Sequence, residues 1–468
     1  MTTECKTKQI EFQEAGKREV IGRFDGGMIT SNGGGLLLRE ADRRFKIIER
    51  FSDCFTDYRD LRYIEHTVKE LIAQRVNGLA LGYEDLNDHD DIRSDHLLAV
   101  LCDKEDPTGR DRKHERDKGK ALAGKSTLNR LELSGLNIKG SKKIIADFQR
   151  IDDFFVDTFL KIHSKEPDRI IIDVDATDDL IHGNQEGRFY HGYYNNYCYL
   201  PLYIFCGEHL LCSRLRPSNI DASKGTVEEL ERIISAIRKK WKEVKIWIRG
   251  DSGFCREDIM TWCEENRVDY ILGLAKNSRL THMIKEDMVD AEIMCRITGR
   301  ASRIYNDFQY QTNKSWNKSR RVISKAEYLH KGENPRFIVT SLLSEEIDAR
   351  ELYEKIYCAR GDMENRIKEQ QLYLFADRTS TSEMRSNQLR LYFSSVAYIL
   401  LNALRQTGLA GTTMSNAQCH TIRLKLLKIG AQVRISVRKI WISMTESYPY
   451  KEILFNVFRN LTTGLVFT

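Results

Sequence analysis

The chain changes its hydrophobic rhythm near residue 169. Before that point apolar residues recur three and four apart, the spacing that places them on one face of a helix. Leu36-Leu-Leu-Arg-Glu-Ala-Asp-Arg-Arg-Phe45 has this pattern after the turn Asn32-Gly-Gly-Gly35, and Tyr63 to Val76 has it again. Residues 1–150 therefore read as mainly helical. The stretch Asp103 to Lys125 is dense in mixed charge and poor in apolar residues, which predicts an exposed loop. From residue 169 the rhythm turns to strands. Arg169–Asp175 is a β-branched run, and Tyr199–Cys206 and Leu210–Leu215 are two more strands joined at Gly207-Glu-His209. Thr226 to Trp241 aligns Val227, Leu230, Ile233, Ile234 and Ile237 on one stripe, an amphipathic helix. Val244–Ile248 then reads as a strand, Arg256–Asn266 as a helix and Val268–Leu274 as a strand.

Residues 285–346 hold short strand-like runs, Arg303–Gln311, Arg321–Lys325 and Arg336–Ser341, and read as a β-rich insertion. Ser344-Glu-Glu-Ile-Asp348 offers a serine cap with acids in the first turn of a helix that runs past Gln371. A further helix covers Ser386 to Arg405. Three strands, helix, strand, helix, strand resembles the element order of the ribonuclease H-like fold. The expected class is thus α/β: a ribonuclease H-like core in residues 151–284 and 347–410, interrupted by the insertion, with a mainly helical N-terminal region for DNA binding or dimerisation and a basic C-terminal region, 411–468, for DNA binding. In that fold the first and fourth strands lie side by side, which implies that Asp175 stands next to Asp251.

Composition narrows the class. A chain of 468 residues is long enough for two to four domains, and 41% hydrophobic with 30% charged residues describes a soluble protein with ample core. The most apolar run, Leu391 to Leu404, contains two serines and an asparagine and is too short to span a bilayer. The opening Met-Thr-Thr-Glu-Cys-Lys lacks the pattern of a secretory leader. Eleven cysteines without one Cys-x-x-Cys pair point to reduced thiols in a cytoplasm and away from a zinc module.

The net charge of +6 is mild, but its distribution is uneven. Arg385 through Thr445 holds nine Lys or Arg and no acid. Within it Arg423, Lys425, Lys428, Arg434, Arg438 and Lys439 alternate with apolar residues and Trp441. A second acid-free cluster, Lys314 to Arg321, surrounds Trp316 with Lys318, Arg320 and Arg321. Any one such run is ordinarily a solvated face. An acid-free stretch of about sixty residues shifts the balance toward double-stranded DNA, whose phosphates such side chains neutralise. Trp316, in a polar stretch with no apolar core in sight, is suited to stack an unpaired base if exposed; packing against its own β-rich insertion is an alternative of at least equal weight.

Three carboxylates in separate settings suggest the chemistry. Asp173 and Asp175 lie two apart on one strand and so share a face, where two negative charges need a cation or a basic partner. Asp251 sits in Arg249-Gly-Asp-Ser-Gly253, where an aspartate is as often a turn or helix cap. Glu364 lies in a charged helix, and Tyr357, Arg360, Glu364 and Gln371, spaced three, four and seven, share one face. Pairing of Glu364 with Lys368 at i, i+4 is the bland alternative. Carboxylates gathered by a fold are what two Mg²⁺ ions require, and two such ions clamp the attacking and leaving oxygens of phosphoryl transfer.

Tyr357-x2-Arg360-x3-Glu364-x6-Gln371 resembles the tyrosine–arginine–glutamate–lysine signature of the DDE transposases of bacterial insertion sequences. Asp175-Ala-Thr177 and Arg249-Gly-Asp251 resemble that group's two aspartate motifs. Longer strings, among them Asp175–Asp179, Gln185–Phe189, His191-Gly-Tyr-Tyr194, Arg216–Asp221, Arg249–Cys255 and Cys358–Gln370, resemble the insertion-sequence family numbered thirteen-eighty. With Arg23-Phe-Asp-Gly-Gly27 and Ala123–Leu131 the resemblance covers nearly the whole chain. It implies that Asp175, Asp251 and Glu364 are catalytic and bind two Mg²⁺ (or Mn²⁺) ions, and that Tyr357, Arg360, Lys368 and Gln371 meet DNA. It also implies cut-and-paste movement akin to the piggyBac class, with hairpinned ends, a TTAA target and a homodimer on paired ends. Gln371 departs from the signature, since an amide replaces a charged lysine.

Two other readings stand beside this one. A domesticated, catalytically inactive DNA-binding protein would keep the fold without the chemistry. Gly119-Lys-Ala-Leu-Ala-Gly-Lys-Ser126 matches the P-loop pattern, but a P-loop follows a buried strand and this one follows Asp111-Arg-Lys-His-Glu-Arg-Asp-Lys118. Ser126 is instead expected to cap a helix Thr127–Leu136, with Lys120 and Lys125 at its positive end facing a DNA phosphate.

Overall fold

The structure is a computed structural model and describes residues 9–135, 140, 142–163 and 165–463. The opening hexapeptide, and Leu136 at the end of the expected helix, lie outside these. The chain divides into two compact units: Met1–Leu131 with Ile138–Ile145 and Leu400–Thr468, and Glu132–Asn137 with Ala146–Ile399. No helix among the described residues is long and apolar enough to cross a membrane.

In the first unit, Val68–Leu81 is a helix whose start is fixed by a reciprocal cap: the Thr67 side chain accepts from the Glu70 N–H while Glu70 accepts from the Thr67 N–H. Its C-terminal carbonyls, Leu79 O and Ala80 O, accept from the buried guanidinium of Arg423, a cation placed where the helix dipole favours one. Helicity is not the whole of this region. Gln9–Ala15 and Arg18–Arg23 form an antiparallel hairpin around Gly16 at φ +69°, a correction to the mainly helical expectation that alternating Ile10 and Phe12 could have signalled. Ile29–Thr30 joins a second hairpin, Ala431–Ile435 with Ile440–Met444. The helix expected from Thr127 begins at Lys125. Ser126 therefore lies inside its first turn and does not cap it.

The second unit is built on one large mixed sheet. Arg169–Ala176 pairs in parallel with Lys245–Gly250, the fourth strand in order, and antiparallel with Leu202–Cys206. His209–Arg214 flanks the latter, and Asp269–Leu274 lies parallel beyond Lys245–Gly250. The sheet does not stop there. Arg336–Thr340, Arg320–Leu329 and Ser302–Tyr310 follow in that order, all antiparallel. Residues 285–346, expected as a β-rich insertion, begin with the helix Lys285–Thr298, and their strands extend the main sheet. Arg320–Leu329 is buried along most of its length, so it needs a neighbour on each edge.

Alternation along Arg169–Ala176 sorts its side chains between two cores. Ile170, Ile172 and Val174 pack with Phe159, Leu230, Ile233 and Ile237 on one face. Ile171 packs on the other with Trp247, Ile271, Leu352 and Tyr353. Asp173 and Asp175 share the parity of Ile171, so they look toward the helical stretch that starts at Ala349. Asp348 caps that stretch by accepting from the Arg350 and Glu351 N–H groups; Ser344 does not. The stretch runs to Tyr373 and contains two π-helical segments, Leu352–Tyr357 and Glu369–Tyr373, on either side of Gly361–Lys368. Insertions of this kind shift the register of a helical face and recur at functional sites.

Candidate active site

Asp175 sits one residue before the end of its strand, and Asp251 follows directly on the neighbouring parallel strand. Asp251 is also a cap: one carboxylate oxygen accepts from the Gly253 N–H at 2.8 Å and begins the turn Ser252–Phe254. Glu364 comes from the Gly361–Lys368 helix and is half exposed. Arg360 joins the set. Its guanidinium donates to Asp175 Oδ2 at 3.2 Å and to Glu364 Oε1 at 2.8 Å. Glu364 is therefore paired one turn back with Arg360 and not forward with Lys368.

The electrostatics show what this arrangement costs. Burial pushes the Asp175 carboxyl up to about 6; Arg360 opposes the rise, whereas Asp251 and Glu364 add to it. Burial also works against the Arg360 charge, but Asp175, Tyr357, Glu364 and Asp251 outweigh it and hold the guanidinium pKa above its usual value. Three carboxylates from three elements thus share one cation. All offer oxygen donors, the set that hard divalent cations prefer, so the donor chemistry fits Mg²⁺ or Mn²⁺. In the present conformation no three His, Cys, Asp or Glu side chains among the described residues stand close enough to hold an ion, and the Arg360 guanidinium bridges Asp175 and Glu364.

Asp173 has a different task. Arg249 clamps it with two hydrogen bonds, Nε to Oδ1 at 2.5 Å and Nη2 to Oδ2 at 2.8 Å, and also donates to the Ile356 carbonyl of the helical stretch. Burial raises the Asp173 pKa and the Arg249 bonds pull it back. The buried pair ties two strands to the helix that presents Arg360. Gly273, which the sequence did not single out, is equally close to the centre. A Cβ there would meet Tyr357 Oη at 2.6 Å, Ser252 N at 2.9 Å and Asp251 C at 3.1 Å. Its position inside the strand Asp269–Leu274 was the available signal, since an interior glycine often marks close approach. Beside it a cavity of about 420 Å³ opens between Asp251, Lys276, Arg336, Tyr353, Tyr357 and Arg360.

Several expected DNA contacts turn out to be committed within the protein. The Gln371 amide donates to the Asp178 carbonyl at 3.0 Å, tethering the loop that leaves the Asp175 strand. Trp316 is only 7% exposed and sits edge-on to Tyr310 at 5.7 Å within the main core. Of the two expectations for Trp316 the exposed stacking platform is overturned and packing within residues 285–346 is found, because the sheet supplies the apolar core that local sequence lacks. Arg320 is buried between Glu257 and Glu264, and Lys318 pairs with Glu264. Arg321 is buried and donates to Asp307, Leu342 O and Ile347 O. Arg423 is the helix clamp described above. Lys120 donates to Arg116 O, and Lys125 to Asn87 while facing Asp90. Residues Glu115–Asp117 before Gly119 form a 3-10 turn and no strand, so the P-loop pattern lacks its support.

Other basic residues remain open to solvent. Lys368 is exposed on the surface of the Glu364 helix. Arg434 is exposed on the hairpin directly opposite Trp441, Arg438 and Lys439 lie in the turn, and Lys439 stands over the Trp441 ring at 5.4 Å. Lys425 is likewise exposed, with its ammonium over Tyr450 at 5.5 Å.

Comparison with known proteins adds three findings. A family model described as transposase DDE domain group 1 matches residues 12–464. No curated protein sequence matches the chain. Among solved structures, the chain is similar to the piggyBac transposase in the cryo-EM structure of its synaptic complex with hairpin DNA, at TM-score 0.39 and 11% identity over 92% of this chain and 80% of that one.

Proposed function

The chain belongs to the transposase DDE domain group 1 family, and from that premise we propose that it is the cut-and-paste transposase of a bacterial insertion sequence of the family numbered thirteen-eighty. It acts in the cytoplasm as a homodimer, binds the terminal inverted repeats as double-stranded DNA, cleaves at their ends and joins them to target DNA. Its large mixed sheet is taken as a ribonuclease H-like core. The observation that carries the reading is the convergence of Asp175, Asp251 and Glu364 about Arg360.

Asp175, Asp251 and Glu364 would hold a pair of Mg²⁺ or Mn²⁺ ions, which supply Lewis-acid activation of a water or a 3′-hydroxyl and stabilisation of the leaving oxygen. The other residues act on position and charge. Asp173 and Arg249 lock the Asp175 strand to its parallel neighbour and to the helix. Gly273 leaves room for the Tyr357 hydroxyl and for the Asp251–Ser252 backbone against its strand. Arg360 neutralises the carboxylates in the absence of DNA and, once released from them, is placed to pair with a backbone phosphate. No protein–DNA covalent intermediate is needed, so no serine or tyrosine nucleophile is invoked.

The test uses a linear duplex carrying the element's own terminal repeat, incubated with the full chain in Mg²⁺ or in chelator. Nicking at the repeat end in Mg²⁺ alone is expected. Retention of the duplex without nicking in Mg²⁺ or Mn²⁺ would favour an inactive DNA-binding protein instead.

A further inference from the structure

An exposed aromatic hairpin rises from the loop that leaves the Asp175 strand. Phe189–His191 and Asn196–Tyr199 pair antiparallel, and Asp179–Leu180, three residues beyond Ala176, adds a third strand. The turn is tight: Asn195 takes φ +56° and its N–H donates to His191 O at 2.8 Å. A sheet this small usually hides its rings, yet Phe189, Tyr190, Tyr193 and Tyr197 are 42, 53, 86 and 45% exposed. The rings brace one another. Tyr190 and Tyr197 meet edge to face at 5.5 Å, Tyr193 and Tyr194 at 5.0 Å, and the Arg188 guanidinium lies over Tyr197 at 3.8 Å.

Position tells what covers this surface. Asp179, on the hairpin's third strand, follows Asp175 by four residues, and the Asp178 carbonyl beside it accepts from Gln371 at 3.0 Å, so the base of the hairpin adjoins the strand end that carries Asp175. A strand seated on these rings runs beside the element that carries Asp175. An apolar face of a second copy would bury the carboxylates there and exclude DNA. Intact duplex keeps its base faces hidden in the stack, so it offers these rings nothing to pair with. Unpaired bases offer flat faces to rings and leave their phosphates to Arg188.

We propose that the hairpin 188–199 is a stacking platform for unpaired bases of the DNA strand undergoing cleavage or transfer. The inference rests on the transposase reading and names the form of DNA that the site takes. It also reassigns to Tyr190, Tyr193 and Tyr197 the stacking role expected of the buried Trp316.

The test measures the full chain in Ca²⁺ against two probes: a single-stranded oligonucleotide containing 2-aminopurine, and the same sequence as a duplex. Wild-type protein should quench the single-stranded probe's fluorescence, as a stacked base does. Tyr193→Ala should lose quenching and bind that probe roughly 5- to 150-fold more weakly, the range for loss of one stacked base. The duplex should be much less affected, and Tyr193→Phe should restore both properties. Tyr193 lies at the tip and touches only the edge of Tyr194 among the rings, so its loss leaves the hairpin pair intact; a melting curve verifies this. Equal losses for both probes, or no loss, would overturn the platform. So would a monomer–dimer shift in sedimentation on Tyr193→Ala, which would make the rings a self-association patch. If wild-type protein cuts the terminal duplex in Mg²⁺ while Tyr193→Ala keeps its quenching, only this inference fails; if wild type neither binds nor cuts DNA, the transposase reading fails with it.

Discussion

Replacing Gly273 by alanine adds one methyl group where three elements of the site nearly touch. The new carbon would lie 2.6 Å from Tyr357 Oη, 2.9 Å from Ser252 N and 3.1 Å from Asp251 C, against ordinary contact from 3.4 Å. The tyrosine hydroxyl ends a flexible side chain and can swing aside. Ser252 and Asp251 present backbone, whose shortfalls of about 0.5 and 0.3 Å must be met by moving the strand end itself. A reacting geometry misplaced by about 1 Å loses roughly 100-fold in rate, so a shift of several tenths predicts a loss of roughly 5- to 30-fold in cleavage. Overpacking should also lower stability by about 1–3 kcal/mol. Affinity for the terminal duplex, which comes mainly from phosphate contacts elsewhere, should stay within a few-fold. The assay is single-turnover nicking beside a binding isotherm and a denaturant melt, with Gly430→Ala as control because nothing lies within 4 Å of its added carbon. Wild-type nicking by Gly273→Ala, or an equal loss in the control, would refute the reasoning.

Three further outcomes follow from the same geometry. Asp173→Asn removes one partner of a buried, doubly bonded pair and should destabilise the chain by about 3–5 kcal/mol in a denaturant melt; a change under about 1 kcal/mol would show that the clamp is not structural. Arg434→Glu with Arg438→Glu should weaken binding to any duplex and flatten the log–log salt dependence by about 0.9 for each phosphate no longer neutralised, whereas an unchanged slope would remove the hairpin from the DNA surface. Asp152 is pushed up by burial, against Arg214 and Tyr392, from 3.8 to about 6. Its folded pKa exceeds its unfolded one, so its contribution to stability is full below about pH 4 and lost as pH rises through about 6. Wild-type stability relative to Asp152→Asn should therefore fall by roughly 1–3 kcal/mol between pH 4 and 7, and a pH-independent difference between the two would contradict this.

What could be read in advance followed from local pattern. The stripe of Leu230, Ile233, Ile234 and Ile237 marked a helix, observed at Thr226–Lys240, and the β-branched run at 169–175 marked the strand beside Lys245–Gly250. Pairing of distant charges was not legible. Arg320 reads as a free cation beside Trp316, but its partners Glu257 and Glu264 lie on a helix about sixty residues earlier and only the sheet brings them together. Arg423 likewise reads as part of a basic tail, while its partners are carbonyls at the end of a helix over three hundred residues earlier. The strands between 302 and 340 read as an insertion, and nothing local records that Asp269–Leu274 offers them an edge of the main sheet. The position of Asp175 next to Asp251 could be inferred from element order, but the guanidinium of Arg360 between Asp175 and Glu364 could not. Helical spacing places Arg360 and Glu364 on one face without stating what stands opposite.

The most direct measurement replaces Asp175, Asp251 and Glu364 singly with alanine and follows nicking and joining of a terminal-repeat duplex in Mg²⁺, with end binding measured in parallel. Each substitution removes one ligand from the set to which the chemistry is assigned. All three variants should fall below detectable cleavage while binding the duplex within a few-fold of wild type. Cleavage near the wild-type rate by any one of them, above all Glu364→Ala, would contradict the assignment and turn attention to Asp362 or Glu369 on the same helical stretch.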